Sequence, residues 1–164
     1  MTDLRHLARG IDPAVLTDRG LDPALSALAA RSPIPVALDV DVSAEEGPAL
    51  DREREAVAYF VVAEALTNIA KHASATRAEI SVTRDAEMLH VRIRDDGRGG
   101  AQVRRNGLST GLAGLTDRVR ATGGVLELAS PPAGGTELRA QIPLTSGAST
   151  TRAPARPTTE ERVR

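Results

Sequence analysis

The middle of the chain predicts a long helix with two different sides. Apolar residues recur at helical spacing over residues 50–73, and the stretch "EALTNIAKHA" within that range also carries four polar side chains, Glu64, Asn68, Lys71 and His72. At about 100° per residue these four share one sector of the helix. Val57 and Val61 continue that sector towards the N-terminus. We therefore expect the polar cluster to be partly enclosed.

Alternation of apolar and polar residues predicts five strands. They lie in "IPVALDVDV", in "RAEISVTRD" and "MLHVRIRDD" joined by a turn near residues 85–87, and in "GGVLELAS" and "GGTELRAQIPL". The residues expected to face the core are Val36, Leu38, Val40 and Val42, Ile80 and Val82, Leu89, Val91 and Ile93, Leu126 and Leu128, and Leu138, Ala140 and Ile142.

Three further helices complete the pattern. One is expected over residues 1–9, a second in "DPALSALAAR" with Asp22 as its N-cap, and a third over residues 112–122 with Leu112, Leu115 and Val119 buried. Strands and helices alternate only in part. The predicted fold class is therefore α+β, a two-layer sandwich.

The pattern divides the chain into three parts. Residues 1–33 are expected to be a linker, residues 34–144 the folded domain, and residues 145–164 a disordered tail. The tail is rich in Ser, Thr, Pro and Arg and has almost nothing apolar to bury. One domain suits a chain of 164 residues.

Composition excludes several classes of function. The net charge is -1 and aromatic residues make up 1%, which argues against a nucleic-acid partner. There is no cysteine and therefore no disulfide, which fits a reducing compartment. No apolar run reaches the roughly 18 residues of a membrane span, so we expect no membrane insertion by this chain and a cytoplasmic location.

One carboxylate interrupts the core-facing row of a strand. Counting by twos from Leu89 leads to Asp95, so Asp95 is expected to point inwards while Asp96 points outwards. The strand then stops at "DGRGG", and the polar residues that follow, at about 100–110, have the composition of a mobile loop.

Three separate segments together predict an ATP site. Asp95 can accept a hydrogen bond from the amino group of adenine, and the glycines after it allow a flat ring to approach. A helix N-terminus preceded by glycine offers free N–H groups to phosphates. Asn68 supplies a hard oxygen ligand of the kind that Mg²⁺ accepts. ATP and Mg²⁺ are therefore the predicted cofactors.

These motifs resemble the ATP-binding catalytic domain shared by sensor histidine kinases, gyrase-type ATPases, Hsp90 chaperones and mismatch-repair ATPases. "EALTNIAKHA" is similar to its N-box, "DDGRGG" to its G1 box, "TGLAGLTDRV" to its G2 box and "GGTELRAQIPL" to its closing strand. The resemblance implies a Bergerat-type fold, with a mixed sheet and helices on one face. The segment "LARGIDPAVLTDRGLDPALSALAARSPIPV" resembles the linker of kinases that signal to nitrate/nitrite-type response regulators.

The resemblance also implies roles for individual residues. Asn68 would bind Mg²⁺, Glu64 would act at the γ-phosphate, and Lys71 and His72 would lie near the phosphates. The nucleotide-binding set would further comprise Asp95 at adenine, Gly97 and Gly99 beside it, Gly111, Leu112 and Gly114 at the G2 box, and Thr136 on the adenine side. Residues 100–110 would form a lid. Ser109 departs from the family, which usually has glycine two residues before Gly111.

Plainer interpretations remain open for some of these residues. Lys71 can be a surface charge, His72 can end its helix and favour the helix dipole, and Asp95 can begin a turn. His6 is a weak candidate for a phospho-acceptor because Leu7, not an acidic residue, follows it.

The resemblance implies a protein histidine kinase domain that transfers the ATP γ-phosphoryl group to dimerisation helices carrying the acceptor histidine, with a response regulator as downstream partner. Two alternatives stay open: an anti-sigma-type serine kinase, and a non-enzymatic module that responds to ATP.

Overall fold

The structure, a computed structural model, describes residues 14–43, 47–101 and 110–145. Within these ranges the chain forms one five-stranded sheet. The strands are β1 (Val36–Asp41), β2 (Ala78–Arg84), β3 (Met88–Asp95), β4 (Val125–Ala129) and β5 (Thr136–Pro143). The helices are α1 (Ala14–Arg19), α2 (Leu21–Ala30), α3 (Arg52–Asn68) and α4 (Thr110–Ala121), and a π-helical segment, Ile69–Ala73, follows α3 directly.

The sheet is mixed, with strand order β1-β2-β3-β5-β4. β1 runs parallel to β2, and the other neighbouring pairs are antiparallel. Because α3 and the π-helical segment connect β1 to β2, this parallel pair is joined by a helical crossover, the kind of connection that parallel strands require. The predicted two-layer α+β architecture is confirmed.

The two faces of the sheet differ as the alternation predicts. The inner row of β2, β3 and β5 is buried beneath the helices, and the inner residues of β1 and β4 are half-buried at the two edges. The predicted turn between β2 and β3 is also confirmed, because Asp85 accepts the N–H groups of Glu87 and Met88 at 2.9 and 2.8 Å. The outer row is polar and forms the open face of the sheet.

The first turn of α3 is fixed to the end of β5. Asp51 caps the helix by accepting the Arg54 N–H at 2.9 Å. The buried Arg54 guanidinium pairs with Asp51 and donates a hydrogen bond to the Pro143 carbonyl oxygen. This attachment sets the position of α3 relative to the sheet, and therefore the position of Glu64 further along the helix.

The long helix is not uniform, contrary to the expectation of a single α-helix over residues 50–73. Hydrogen bonding changes to the wider π pattern at Ile69, and Ser74 ends the segment in a left-handed conformation, with φ of 52°. The wider turn keeps Ile69 and Ala73 buried. α-helical spacing of the apolar residues alone does not reveal this change.

The N-terminal part also differs in detail from the prediction. α1 was not predicted, and α2 begins at Leu21 after Gly20, whose φ is 84°, rather than after Asp22 as N-cap. Leu21 and Leu25 are buried in the same core as Val61. The boundary at residue 33 between linker and domain stays a prediction.

Some expectations fall outside the described residues. They are the helix over residues 1–9 with His6, most of the proposed lid (102–109), and the tail from residue 146 onwards. No helix in the described ranges combines the length and apolar character needed to cross a membrane.

Candidate nucleotide-binding site

Glu64 connects α3 to the beginning of α4. Its side chain is half-buried, and a Cβ added to Gly111 would overlap with its carboxylate. Only glycine can therefore occupy position 111 while Glu64 keeps this position. A negative charge near the N-terminus of a helix is favourable, since the first N–H groups are unpaired. The contact brings the predicted N-box and G2 box together.

Asn68 is the last residue of α3 and is half-buried. Its carboxamide makes no hydrogen bond to any residue in the described ranges. A half-buried amide normally finds a partner in protein or solvent. No protein group in the described ranges thus competes for the Asn68 carboxamide.

Lys71 and His72 lie on the π-helical segment and are exposed. Within residues 14–43, 47–101 and 110–145 neither side chain has a hydrogen bond or an ion pair. The α-helical wheel places them beside Glu64 and Asn68, but the wider turn alters that relationship. They remain near the site through the chain, with their side chains directed to solvent.

Asp95 ends β3 and continues its buried row, as the alternation predicts. It is 4% exposed, and its Oδ1 accepts the Gly97 N–H at 2.8 Å. Burial raises the pKa of Asp95, and hydrogen bonds from the Gly97 and Thr136 backbone partly oppose that effect. No side chain in the described part of the chain donates a hydrogen bond to it. A buried carboxylate without such a donor is suited to a donor on a ligand.

The loop after β3 packs closely against the π-helical segment. A Cβ on Gly97 would overlap with the Ala73 carbonyl oxygen, and that same oxygen accepts the Arg98 N–H at 2.8 Å. A Cβ on Gly99, whose φ is 66°, would overlap with the Pro131 carbonyl oxygen. Both glycines are thus required by contacts within the protein, which the sequence argument did not foresee.

Asp96 holds the other side of this loop and was not among the predicted site residues. It accepts the N–H groups of Thr76 and Arg77 at 2.8 and 3.1 Å, and also the Thr76 hydroxyl. The Thr76 hydroxyl, followed by the two backbone donors, lowers the pKa of Asp96 to about 2. The only signal in the sequence was its expected outward direction.

Thr136 lies directly opposite Asp95 in the pairing of β3 with β5. Its hydroxyl is 2.8 Å from the hydroxyl of Ser130, which follows the end of β4. Ser130 was missed as well, because a lone serine before two prolines carries no periodic signal. The closing strand and the loop after β3 therefore meet at this hydroxyl pair.

The beginning of α4 supplies backbone N–H groups. The helix starts at Thr110, two residues earlier than predicted, and it contains Gly111, Leu112 and Gly114. Leu112 is buried, whereas a Cβ on Gly114 would meet no atom within 4 Å. Gly114 thus leaves open space on the first turns of α4.

A shallow groove on the open face of the sheet lies away from this site. Its volume is about 270 Å³, and its lining includes Asp39, Glu79, Arg92 and Arg94. Exposed side chains of both signs are typical of a solvated surface. We assign no ligand to this groove.

A family model described as "Histidine kinase-, DNA gyrase B-, and HSP90-like ATPase" matches residues 53–146. Those residues include every segment of the candidate site. The match agrees with the resemblance drawn from the four motifs.

Relatives with similar sequences are sensor kinases. The chain is 34% identical over 149 residues to the sensor histidine kinase NarS of Mycobacterium tuberculosis, covering 86% of this chain and 33% of NarS. It is 25% identical over 144 residues to the sensor histidine kinase LiaS of Bacillus subtilis, covering 87% of this chain and 39% of LiaS. The chain therefore spans between a third and two fifths of the length of these relatives.

Solved structures show the same fold. The blue-light activated histidine kinase EL346 of Erythrobacter litoralis superposes with a TM-score of 0.57 at 23% identity, covering 74% of this chain and 39% of that protein. The mycobacterial sensor histidine kinase MprB superposes with a TM-score of 0.53 at 22% identity, covering 75% of this chain and 91% of that structure. The family match shows that the chain belongs to the histidine kinase-, DNA gyrase B- and HSP90-like ATPases, and the relatives that it resembles over most of its length are sensor histidine kinases.

Proposed function

We propose that this domain binds Mg·ATP between α3, the loop after β3 and the beginning of α4, and transfers the γ-phosphoryl group to a histidine on dimerisation helices. The observation that carries the proposal is the contact among the separate motifs. Glu64 lies against Gly111, Ala73 against Gly97, and Asp95 beside Thr136. Segments far apart in the sequence are thus in contact in pairs, and two of these three contacts lie beside the buried Asp95 carboxylate.

Asp95 is proposed to recognise adenine. Its buried carboxylate accepts the Gly97 N–H and has no side-chain donor in the described ranges. The exocyclic amino group of adenine is a donor of suitable chemistry for the remaining acceptor capacity of this carboxylate. Thr136, opposite Asp95, offers a hydroxyl to the same base.

Asn68 is proposed to hold Mg²⁺. Its half-buried carboxamide has no partner in the described part of the chain, and an amide oxygen is an acceptable ligand for this ion. When bound, Mg²⁺ neutralises charge that develops on the transferring phosphoryl group. The contribution of Asn68 is to fix the ion from the last turn of α3.

The phosphates are proposed to lie along α3 and the beginning of α4. Backbone N–H groups near Gly111 favour anions, and Glu64 places an acceptor at the same end. Lys71 and His72 are exposed on the neighbouring π-helical segment, and their cationic or polar side chains are of the chemical type that binds phosphate. These groups mainly position the substrate, on which phosphoryl transfer strongly depends.

The acceptor histidine is proposed to lie outside the described domain. His90 is on the open face of the sheet, where its Nε2 lies 2.8 Å from Asp85 Oδ2. His72 belongs to the helical part of the proposed site itself. Neither is suited to in-line attack on a phosphate bound in the same domain. Dimerisation helices of a kinase would supply the acceptor, and a response regulator would receive the phosphoryl group from it.

Transfer to supplied helices tests the function. The full chain, Mg·ATP and a separately produced pair of dimerisation helices carrying an acceptor histidine should give acid-labile phosphohistidine on the helices. The chain alone should give none at any concentration, and a His6→Ala variant should behave like the wild type.

Asn68→Ala should lose transfer together with the Mg²⁺-dependent part of ATP affinity, measured by calorimetry.

Gln141→Ala is a matched control because Gln141 carries the same amide group on the open face of the sheet. It should leave Mg²⁺ dependence unchanged. Labelling that requires His6 would instead show a self-sufficient kinase. ATP binding without transfer to the helices would favour a non-enzymatic module that responds to nucleotide.

A further inference from the structure

Ser130 holds two successive amides of the loop after β3. Its carbonyl oxygen accepts the Gly100 N–H at 3.0 Å, and its hydroxyl oxygen accepts the Ala101 N–H at 2.9 Å. Ser130 follows β4, which pairs only with β5 in the described sheet. One residue at the edge of the sheet therefore fixes the path of the loop beyond Gly99.

The same hydroxyl reaches the predicted adenine side of the site. Ser130 Oγ is 2.8 Å from Thr136 Oγ1 and 3.4 Å from the Gly135 carbonyl oxygen. Thr136 in turn lies opposite Asp95. A short chain of hydrogen bonds thus runs from the Ala101 amide through Ser130 to Thr136.

The number of hydroxyl protons limits what this chain can do. Each hydroxyl has one proton, and the contact between Ser130 and Thr136 uses one of the two. If Thr136 donates, Ser130 keeps its proton for the Gly135 carbonyl. If Ser130 donates, Thr136 keeps its proton for a ligand. A ring nitrogen of adenine is an acceptor, so it would select the second arrangement.

We propose that Ser130 is a positioning residue for the nucleotide: it donates a hydrogen bond to the Thr136 hydroxyl oxygen and so leaves the Thr136 hydroxyl free to donate to the adenine base. This inference rests on the proposed function, since it requires ATP at Asp95 and Thr136. It adds a residue and a direction of hydrogen bonding that neither the motifs nor the family match assigns.

Calorimetry with Mg·ATP on the full chain tests the role of the hydroxyl. Ser130→Ala should weaken binding by about threefold to tenfold, the loss expected for one hydrogen bond. Ser130→Thr retains the hydroxyl and should recover most of the affinity. Ser81→Ala, a half-buried serine on β2 away from the loop, is the matched control and should bind like the wild type. Chemical unfolding of each variant reports stability separately.

A double-mutant cycle with Thr136→Val distinguishes positioning from a purely structural role. If Ser130 acts through Thr136, Ser130→Ala should cost little further affinity once the Thr136 hydroxyl is gone. Equal losses in both backgrounds, or lower stability with unchanged affinity, would overturn the inference while the proposed function stands. If the wild-type chain binds no Mg·ATP at all, both fail. If Ser130→Ala does not fold, Ser130→Cys, whose thiol is only a weak donor, takes its place in the cycle, and the same outcomes support or overturn the inference.

Discussion

At the scale of single residues, two adjacent carboxylates have opposite surroundings. Asp95 is buried, and burial raises its pKa, whereas Asp96 is exposed and its hydrogen bonds to Thr76 and Arg77 lower its pKa to about 2. The alternation of side-chain direction along β3 is sufficient to turn these two neighbouring carboxylates to opposite sides. Asp96 is therefore satisfied by the protein, whereas no side chain in the described ranges donates a hydrogen bond to Asp95.

Asp95→Asn should weaken ATP binding more than it weakens the fold. The substitution removes a charged acceptor, which typically costs about 1 to 3 kcal/mol of binding free energy. Calorimetry with ATP and a denaturant titration measure the two effects. Asp39→Asn, an exposed residue of β1, is the control and should change neither. A large loss of stability with unaltered ATP affinity would mean that Asp95 has only a structural role.

At the scale of elements, the site depends on how closely the loop after β3 approaches the π-helical segment. Gly97 is in contact with the Ala73 carbonyl oxygen, and Arg98 donates its N–H to it. Asp96 fixes the same loop to the residues that follow the segment. These contacts therefore fix the loop that begins after Asp95 against the helical element that carries Asn68.

Gly97→Ala should destabilise the domain and weaken ATP binding together. The new methyl group would overlap with Ala73, and relief of such overpacking typically costs about 1 to 3 kcal/mol. Gly114→Ala is the contrasting variant, because its site is open and alanine favours a helix over glycine by about 1 kcal/mol. Denaturant unfolding should show a loss for the first and a gain for the second. Equal stability of the two variants would contradict the close approach.

At the scale of the whole molecule, α1 and α2 pack into the same hydrophobic core as α3. Leu16, Leu21 and Leu25 belong to one buried cluster with Val57 and Val61. A segment that resembles a linker in sequence thus packs as part of the described fold. Movement of α2 would disturb α3, which carries Glu64 and Asn68.

Leu25→Ala tests that connection. Leu25 is fully buried, and a leucine-to-alanine change in a core typically lowers the free energy of unfolding by about 2 to 5 kcal/mol. Leu28→Ala, at a half-buried position of the same helix, should cost less. A single cooperative transition at lower denaturant concentration is expected for Leu25→Ala. An unchanged transition would show that residues 14–30 fold independently of the domain.

Sequence reasoning succeeded where a local period was sufficient. The strand rows and the inward direction of Asp95 follow from alternation, which needs no knowledge of distant residues. It failed at contacts across the chain. Asp96 meets Thr76 twenty positions away, and Ser130 meets Ala101, so neither partner can be read from local spacing.

Helix boundaries were harder to predict than strand rows. No helix was predicted between residues 10 and 20, yet α1 forms at Ala14–Arg19 and Gly20 separates it from α2. The apolar spacing through Ile69 and Ala73 fits an α-helix and does not indicate a π-helical segment. In each case the tertiary packing, which local patterns do not contain, determines the boundary.

The π-helical segment also determines how homologous sequences must be aligned. Its hydrogen bonds span one residue more than those of an α-helix, so it behaves as a one-residue insertion within the helical element. The wide turn absorbs that residue, so a homologue that lacks it can continue as an α-helix while the residues that follow keep their direction. Lys71 and His72 therefore correspond to residues of a homologue only if both chains share the insertion. A gap at this place in an alignment therefore marks the loss of the wide turn, and the basic pair can be gained or lost by an insertion or deletion without any substitution.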